Sequence, residues 1–389
     1  MGMEKGSGLN FGPYDYNGGG ENPQPPTPTP QGEYFVKVID YDGTVIDEQW
    51  LDDGAEYTLP SAPSHEGLVF QEWSSSETIT DGKITIDKNN VMIGAIYDTA
   101  SGKNEFDIEL TKATELSVTL NMDGTKDWGD GTTDTNTSHT YSDYGKYTIK
   151  CDGTTMTTSS SSGLFGQNSG NNNHYVISVR LHNALNSYAF QLCISLKNIT
   201  IPKNLATYSN SYQLFNGCSA LEHINIPSTT TSFGAYMFRY CYALKSVVVS
   251  NNMTAINSYA FISCYTLKDF VINNKMTNVY TEVFEYCYSL QTIIPESVIG
   301  VSEKAFSSCY SMKKVSAKKI STIGQSAFLY NSNIMEYDFS LATSVPSLSN
   351  SSVFSGINKL CKIKVPASLY DSWKTATNWV TYADYIVAV

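Results

Sequence analysis

The sequence predicts a mainly β protein in which a solenoid of short stacked coils follows two small β domains. The first observation is a phenylalanine that recurs at steps of 22 to 26 residues through the second half of the chain. The eight positions are Phe190, Phe215, Phe238, Phe261, Phe284, Phe306, Phe328 and Phe354. The second is that cysteine follows six of them by three residues, and Leu, Met or Ile follows all eight by six residues. Self-similarity at such a period indicates a solenoid, in which each coil buries its apolar side against the next.

One repeat shows how a coil is expected to work. Phe261, Cys264 and Leu267 point inward, and the alternating Phe270 and Ile272 form a short strand that pairs in parallel with its neighbours. The six cysteines then stack in a column at the strand spacing of about 4.8 Å. We expect buried, reduced thiols there. A disulfide framework is the alternative, but the spacing follows the repeat and contains no C-x-x-C or zinc-ligand pattern.

The first domain follows a proline-rich stretch. Residues 1–32 predict a disordered tail and semi-rigid linker, with a short anchoring peptide as the alternative. From 33 to 100, apolar alternation and the hairpin signal Asp42-Gly43 predict a small β module. Together with Gly67, Trp73 and the closing Ala95-Ile96-Tyr97, this segment resembles the Listeria/Bacteroides-type repeat, a β-grasp-like spacer. The resemblance implies that Trp73 is a core residue.

The second domain, residues 103–155, contains Trp128-Gly129-Asp130-Gly131 followed by His139 and Tyr141. This segment resembles the polycystic-kidney-disease (PKD) domain, which implies a small Ig-like β-sandwich. Its aspartates invite a calcium hypothesis because hard cations prefer clustered oxygen ligands. The candidates are Asp127, Asp130 and Asp134. The alternative is that these side chains cap a hairpin turn, and no cofactor is otherwise expected.

The repeats span 174–366 and resemble the BspA-type (Treponema-type) leucine-rich repeat. The resemblance implies a leucine-rich-repeat solenoid with a parallel sheet and short helical or turn segments. Asn331 and Ile357 stand where the cysteine is expected, and asparagine can still bond to the backbone there. In residues 367–389, Leu369 and Trp373 at helical spacing predict a short C-terminal helix that caps the core.

The candidate ligand-binding residues lie in two lines along the array. The first consists of the outward strand positions, here Asn198, Thr200, His223, Asn225, Asp269, Lys314, Glu336 and Asp338. The second follows the cysteines: Tyr242, Tyr265, Tyr288 and Tyr310. Aromatics at a fixed step could stack on sugars or anchor a protein. The alternative is that these tyrosines pack between coils and leave only their hydroxyls in water.

Composition excludes several classes of function. A net charge of −12, with no stripe of basic residues, disfavours nucleic acid and anionic lipid as partners. No apolar run approaches the roughly 20 residues that span a bilayer, so membrane insertion is not expected. The five histidines are scattered, and no nucleophile, metalloprotease or phosphate-binding motif is present, so we expect no enzyme.

Three non-catalytic β-rich modules in series suggest an elongated display protein. Proteins that resemble these parts are typically surface adhesins of gut or oral bacteria. The main hypothesis is a binding or adhesion protein at the cell surface that recognises a host protein or glycan through its repeats.

The first thirty residues hold no apolar signal segment, which motivates an alternative: a bacteriophage virion protein (capsid, tail fibre or decoration). It would bind virion proteins through residues 1–31 and display the repeats toward bacterial surfaces or mucus. A third hypothesis, a glycan-processing accessory, predicts measurable polysaccharide hydrolysis.

Overall fold

The computed structural model describes residues 32–112, 116–160, 162–166, 174–205 and 211–389. Residues 1–31, which carry the predicted tail or anchoring peptide, lie outside this part of the chain. The virion alternative depends on those residues, and the described part adds no observation in its favour. The described residues are mainly β, and their parallel strands stack into a solenoid as predicted.

Residues 32–100 form a small sheet of their own, which we name the N-terminal module. Its strands are β1 (Tyr34–Ile39), β2 (Val45–Leu51), β3 (Glu56–Thr58), β4 (Leu68–Ser75), β5 (Lys83–Thr85) and β6 (Val91–Thr99). The main sheet has the order β2-β1-β6-β4, with β1 parallel to β6, and β3 pairs with β5. Trp73 packs partly buried against the module's own apolar core, as predicted. The likeness to the Listeria/Bacteroides-type repeat stays a prediction.

The next segment is joined to the solenoid by a shared sheet. It contains β7 (Asn104–Leu110), β8 (Ser117–Thr119), β9 (Lys126–Asp127), β10 (Thr133–Asp134), β11 (Ser138–Thr140) and β12 (Gly145–Cys151). Strand β7 pairs with β12 and also with β13 (Val176–Arg180), the first strand of the repeat region. Arg180 binds Glu105 and Asp107 across that joint. The segment therefore closes the N-terminal end of the solenoid, and its likeness to a PKD domain stays a prediction.

The repeats form eight coils, which we number from coil 1 at Phe190 to coil 8 at Phe354. The remaining strands are β14 (Asn198–Thr200), β15 (His223–Asn225), β16 (Ser232–Phe233), β17 (Ser246–Val248), β18 (Ala255–Ile256), β19 (Asp269–Phe270), β20 (Asn278–Val279), β21 (Gly300–Val301), β22 (Lys314–Val315), β23 (Thr322–Ile323), β24 (Glu336–Asp338), β25 (Lys362–Val365) and β26 (Ile386–Ala388). All of their pairings with one another are parallel.

A column of stacked phenylalanines runs through the core of the coils. Consecutive rings lie 5.2–5.8 Å apart, centroid to centroid, with planes within 17° of parallel. Phe238, Phe261 and Phe284 line up along one axis as the repeat predicts. Their burial and stacking are the main apolar contact between neighbouring coils.

The backbone around each phenylalanine carries a second ladder. Residues two before and two after Phe adopt left-handed φ values of 51–67° in most coils, although few of them are glycine. This alternation points the N–H groups toward the following coil. In coils 1 to 7 the Phe N–H donates to the carbonyl of the residue before the next Phe, at 2.8–3.1 Å. The left-handed positions cost conformational energy, and the inter-coil bonds offset that cost.

The predicted cysteine column is present, and its thiols are buried and are not joined in disulfides. From Cys218 to Cys309, each Sγ donates to the Phe carbonyl of the preceding coil at 3.0–3.2 Å. Burial raises the pKa of the Cys264 thiol well above its usual value. Asn331 donates the equivalent bond to the Phe306 carbonyl at 2.7 Å, as the sequence suggested. The column therefore joins coils by hydrogen bonds as well as by packing.

Both ends of the phenylalanine ladder are closed by residues outside the repeats. At the first coil the Leu164 N–H donates to the Ala189 carbonyl at 2.8 Å, as a phenylalanine of an extra coil would. At the last coil the Tyr382 hydroxyl accepts the Phe354 N–H at 3.2 Å and donates to the Ser351 carbonyl. These caps prevent buried backbone groups from being left unpaired.

The C-terminal cap is more divided than predicted. A 3₁₀ helix (Ala367–Leu369), the helix α1 (Tyr370–Thr375) and a second 3₁₀ helix (Trp379–Tyr385) precede β26. Trp373 and Trp379 are buried, with ring centroids 4.4 Å apart. Strand β26 then pairs in parallel with β25. The cap therefore covers the open core with two tryptophans and also extends the sheet.

The N-terminal module is seated on the outer face of the main repeat sheet. Its strand β6 contacts β14, β15 and β17. Ile39 and Met92 of the module form a small apolar cluster with Val248 and Val271 of the repeats. The module thus covers the sheet of coils 1 to 4.

Candidate binding surface

The strand-face residues of the first coils are not exposed as predicted. Thr200, His223 and Asn225 are buried, and Asn198 is half-buried. The expectation that this half of the ladder faces solvent is wrong, because the N-terminal module occupies it. Asp269 is half-buried and bound to Lys37 of β1 at 2.7 Å. Asn225 and Asp269 therefore hold the module in this structure.

Asn225 is the main polar contact between the module and the repeats. Its Nδ2 donates to the carbonyls of Ile39, Asp40 and Ala95 at 3.1–3.3 Å. Its Oδ1 contacts His223 Nε2 at 2.7 Å. Because the asparagine spans two module strands, it fixes the position of the module on the sheet.

A buried hydrogen-bonded chain continues from this asparagine. His223 Nδ1 lies 2.6 Å from the Ser246 hydroxyl, so Ser246, His223 and Asn225 are linked in sequence. All three are buried under the module, where no substrate can reach them. Burial lowers the pKa of His223 to about 4, so the imidazole is neutral at physiological pH. The chain is therefore a structural contact between the module and the repeats.

The strand face of the last coils forms a charged strip. Lys314 is exposed, and its Nζ binds Glu336 at 2.9 Å. Glu336 also binds Lys364 at 2.8 Å, and Asp338 is buried. The prediction of an exposed face therefore holds for Lys314 but is wrong for Asp338, whose carboxylate accepts the Ser340 N–H at 3.1 Å. Glu336 is therefore shared by two lysines, whereas the exposed Lys362 of β25 makes no ion pair within the described residues.

The four predicted tyrosines form an exposed, continuous ladder, which we name the tyrosine ribbon. Tyr242, Tyr265, Tyr288 and Tyr310 are 37–41% exposed. Consecutive rings stack at 5.0, 5.0 and 5.2 Å with planes within 17° of parallel. The rings therefore pack between coils, as one of the two alternatives has it, and they also keep an open edge; the binding alternative stays a prediction.

The hydroxyls of the ribbon are available for binding. Within the described part of the chain, none of the four makes a hydrogen bond to another residue. Burial and the neighbouring tyrosines raise the pKa of Tyr288, which keeps its hydroxyl protonated. The ribbon thus presents a row of polar groups that can donate and accept, one for each coil from 3 to 6.

A second row of tyrosines runs along the coils, two or three residues before the core phenylalanines. Tyr188, Tyr212, Tyr236 and Tyr259 contact one another in order, at centroid distances of 5.6, 5.4 and 4.6 Å. The Arg239 guanidinium lies 5.4 Å from the Tyr236 ring, which is a cation–π contact. Tyr212 is one residue out of register with the other three, which hides the row from a fixed-period search.

A cleft of about 270 Å³ opens between the N-terminal module and coil 5, where the main sheet has no strand. Tyr34 and Asp87 line it on one side, and Ile293 and Lys318 on the other. The sequence carries a sign of the missing strand in coil 5. Pro295 follows the repeat leucine of coil 5 by five residues, whereas the prolines of coils 1 and 2 follow the repeat leucines of those coils by six. The lining mixes acidic and basic groups, and its volume lies below that of most small-molecule sites, about 300–1,000 Å³.

The aspartates considered for calcium each cap a separate turn. The bonds are Asp127 Oδ1 with the Gly129 N–H at 3.0 Å, Asp130 Oδ1 with the Thr132 N–H at 3.0 Å, and Asp134 Oδ1 with the Asn136 N–H at 2.9 Å. Among the residues that the structure describes, no group of three or more His, Cys, Asp or Glu is arranged to hold a metal ion. The observed bonds are those of the turn alternative.

Comparison with protein families assigns the repeats. The model of the BspA type leucine rich repeat region matches residues 162–291 and 290–376 in six copies, which is more than half of the chain. The chain therefore belongs to the BspA-type leucine-rich repeat family. A search of curated proteins finds no match. No helix in the described ranges is both long and apolar enough to cross a membrane.

Solved structures with the same kind of repeat come from several bacteria. A leucine-rich repeat protein of T. pallidum is 23% identical, with a TM-score of 0.36, over 46% of this chain and 78% of that one. One from Bacteroides ovatus is 18% identical, with a TM-score of 0.35, over 55% and 65%. A leucine rich cell surface protein of Faecalibacterium prausnitzii is 20% identical, with a TM-score of 0.26, over 50% and 64%. The chain thus spans less than two thirds of the latter two proteins.

Proposed function

We propose that this chain is a non-enzymatic, surface-displayed binding protein that recognises a host protein or glycan through the tyrosine ribbon. The ribbon itself carries the proposal: four stacked, part-exposed rings with hydroxyls that the described residues leave without partners. Tyrosine offers a large contact area and a polar tip with few rotatable bonds. BspA-type repeats are typical of surface-associated proteins, which supports display at a surface.

Rigidity favours binding at this edge. Each ribbon tyrosine lies one residue after a cysteine of the buried column, so its backbone is fixed by the inter-coil bonds. A surface that is ordered before binding loses little conformational entropy when it meets a ligand. The strand face, by contrast, is occupied by the N-terminal module in coils 1 to 4, and in coils 6 to 8 Glu336 forms ion pairs with Lys314 and Lys364. The ribbon is the better supported of the two predicted surfaces.

The test is a binding screen of the full chain against glycan arrays and extracellular-matrix proteins. We expect the variant Tyr265→Ala/Tyr288→Ala to weaken binding of any retained ligand by about tenfold or more. The control Tyr144→Ala removes a tyrosine that is 53% exposed in the segment before the repeats, and it should bind normally. Circular dichroism and thermal melting establish that each variant is folded.

Two outcomes contradict the proposal. Binding that survives Tyr265→Ala/Tyr288→Ala but is lost in Lys314→Ala/Lys362→Ala would place the site on the strand face of the last coils. A flat response of the wild-type chain across both arrays would leave only a structural role.

A further inference from the structure

The tyrosine ribbon is accompanied by exposed lysines at a fixed offset. Lys245, Lys268 and Lys313 each follow a ribbon tyrosine by three residues, and each is exposed. Gln291 takes this position in coil 5. Backbone hydrogen bonds connect these positions from coil to coil. The Lys268 N–H donates to the Lys245 carbonyl at 2.9 Å, and the Gln291 N–H donates to the Lys268 carbonyl at 3.1 Å. A basic row therefore runs parallel to the ribbon.

Two of these lysines keep their charge uncompensated. Lys245 pairs with Glu222. Lys268 and Lys313, however, take part in no ion pair within the part of the chain that the structure describes. The acidic neighbour of Lys268 in sequence, Asp269, is already bound to Lys37 of the N-terminal module. Asp269 is therefore engaged by the module and does not pair with the lysine row.

The acidic groups of coil 5 are likewise held by another partner. Lys304 binds Glu282 at 3.2 Å and Glu285 at 3.8 Å. Burial and the neighbouring Glu282 raise the pKa of Glu285 to about 7, which reduces its negative charge at neutral pH. On a chain whose net charge is −12, Lys268 and Lys313 therefore place two unpaired positive charges beside the ribbon.

The stacking geometry restricts how a ligand meets the rings. Tyr265 and Tyr288 have a tyrosine on both faces, at 5.0 to 5.2 Å. A sugar cannot stack on a ring face that a neighbouring ring already covers. Contact is left to the ring edges and hydroxyls, which favours ligands rich in hydrogen-bonding groups.

The spacing of the ribbon discriminates between two extended polymers. An extended peptide advances about 3.3–3.4 Å per residue, so its same-face side chains recur at about 6.7 Å, which does not match the ribbon. In an extended polysaccharide with equatorial linkages, one sugar advances by close to one coil. Each sugar of such a chain would lie beside one tyrosine hydroxyl. Because successive sugars are turned by about half a turn, acid groups on one side recur at every second sugar, which matches the two-coil separation of Lys268 and Lys313.

We propose that the ribbon and its lysine row bind an extended anionic polysaccharide, one with carboxylate or sulfate groups, lying along the solenoid axis. This inference rests on the proposed function and deepens it by naming the ligand class. Lysine ammonium groups supply charge-assisted hydrogen bonds to the acid groups, and the tyrosine hydroxyls bond to the sugar hydroxyls. Binding should weaken steeply with salt, because screening acts strongly on exposed charges.

The experiment measures binding of the full chain to three probes by calorimetry: β-1,4-linked polyglucuronate, the neutral cello-oligosaccharide with the same equatorial linkages, and polyglutamate. We expect polyglucuronate to bind, and the variant Lys268→Gln/Lys313→Gln to raise its Kd by about tenfold or more. The control Lys83→Gln/Lys146→Gln changes the net charge equally at remote exposed sites and should bind as wild type. Tyr265→Phe/Tyr288→Phe keeps the stacked rings but removes two hydroxyls, and it should also weaken binding.

Each contrary outcome identifies what has failed. Equal binding of the neutral oligosaccharide, preferred binding of polyglutamate, or unchanged binding by Lys268→Gln/Lys313→Gln would overturn the anionic-glycan inference. If Tyr265→Ala/Tyr288→Ala still lost binding to another ligand on the arrays, the proposed function would remain valid without the anionic-glycan inference. If no ligand depended on the ribbon tyrosines, both the proposed function and the anionic-glycan inference would be wrong.

Discussion

Replacing Gly94 of strand β6 with alanine should loosen the N-terminal module from the repeats. A Cβ at this position lies 2.4 Å from Cγ and Oδ1 of Asn225, whereas ordinary contact begins at 3.4 Å. Asn225 cannot move aside freely, because its amide donates to the carbonyls of Ile39, Asp40 and Ala95. A displacement of about 1 Å would strain or break these bonds, so we expect a cost of about 1–3 kcal/mol.

A substitution of Asn225, the residue that the new Cβ would meet, provides a second check on the expected cost of Gly94→Ala. Asn225→Ala leaves the buried carbonyls of Ile39 and Ala95 without this donor, which should cost about 1–3 kcal/mol. In the double variant the alanine at Gly94 meets no asparagine, so the clash disappears. The double variant should therefore cost less than the sum of the two single variants, by about 0.5–3 kcal/mol.

Hydrogen exchange and urea unfolding of the full chain are the assays. In Gly94→Ala the amides of β1 and β6 should exchange faster, while the Phe261 amide in the inter-coil ladder stays protected. Lys83→Ala, on the exposed strand β5, is the control. Exchange in Gly94→Ala that matched wild type would refute the reasoning, and so would strict additivity in the double variant.

Three further predictions concern the caps, the column and pH. Tyr382→Phe leaves the buried Phe354 N–H without an acceptor. It should lower the free energy of unfolding, measured in urea, by about 1–2 kcal/mol. An unchanged free energy of unfolding would contradict the capping role of Tyr382. Asn331→Ala removes the donor to the Phe306 carbonyl, whereas Asn331→Cys supplies the thiol donor that other coils use. The melting temperature should therefore fall more in Asn331→Ala than in Asn331→Cys. An equal fall in both variants would contradict the idea that asparagine and cysteine have the same role at this position. Because burial lowers the pKa of His223 from 6.5 to about 4, the unfolded chain binds more protons in that window. Stability should therefore fall by about 1.4 kcal/mol per unit as pH drops from 6.5 toward 4, and His223→Gln, with all other groups retained, should lack this component of the slope.

The coil core was predictable because its residues repeat. The same side chains recur at Phe261, Cys264 and Leu267 and at the matching positions of other coils, and burial at one implies burial at all. The tyrosine ribbon was predictable for the same reason. Its stacking was not, because sequence spacing does not fix ring orientation.

The docking of the N-terminal module was not predictable, because its contacts follow no period. Asn225 occupies an outward strand position like any other polar residue, and its partners are backbone carbonyls, which carry no side-chain signature. The left-handed positions were hidden for a similar reason. Tyr236, Ser263 and Lys304 all adopt them, and no shared residue type marks the site. In both cases tertiary bonds, and not local preference, determine the conformation.

The inter-coil amide ladder has a direction, and its two ends differ in chemistry. Leu164 offers a donor to the first coil, and Tyr382 offers a hydroxyl to the last. A new coil can enter between existing ones without disturbing either terminus, because it brings both a donor and an acceptor. Duplication or loss of a unit beyond coil 4, outside the coils that the N-terminal module covers, therefore costs little structurally, whereas growth at either end of the solenoid requires a new cap. The length of the solenoid can therefore change by whole coils during evolution, while the two caps stay the same.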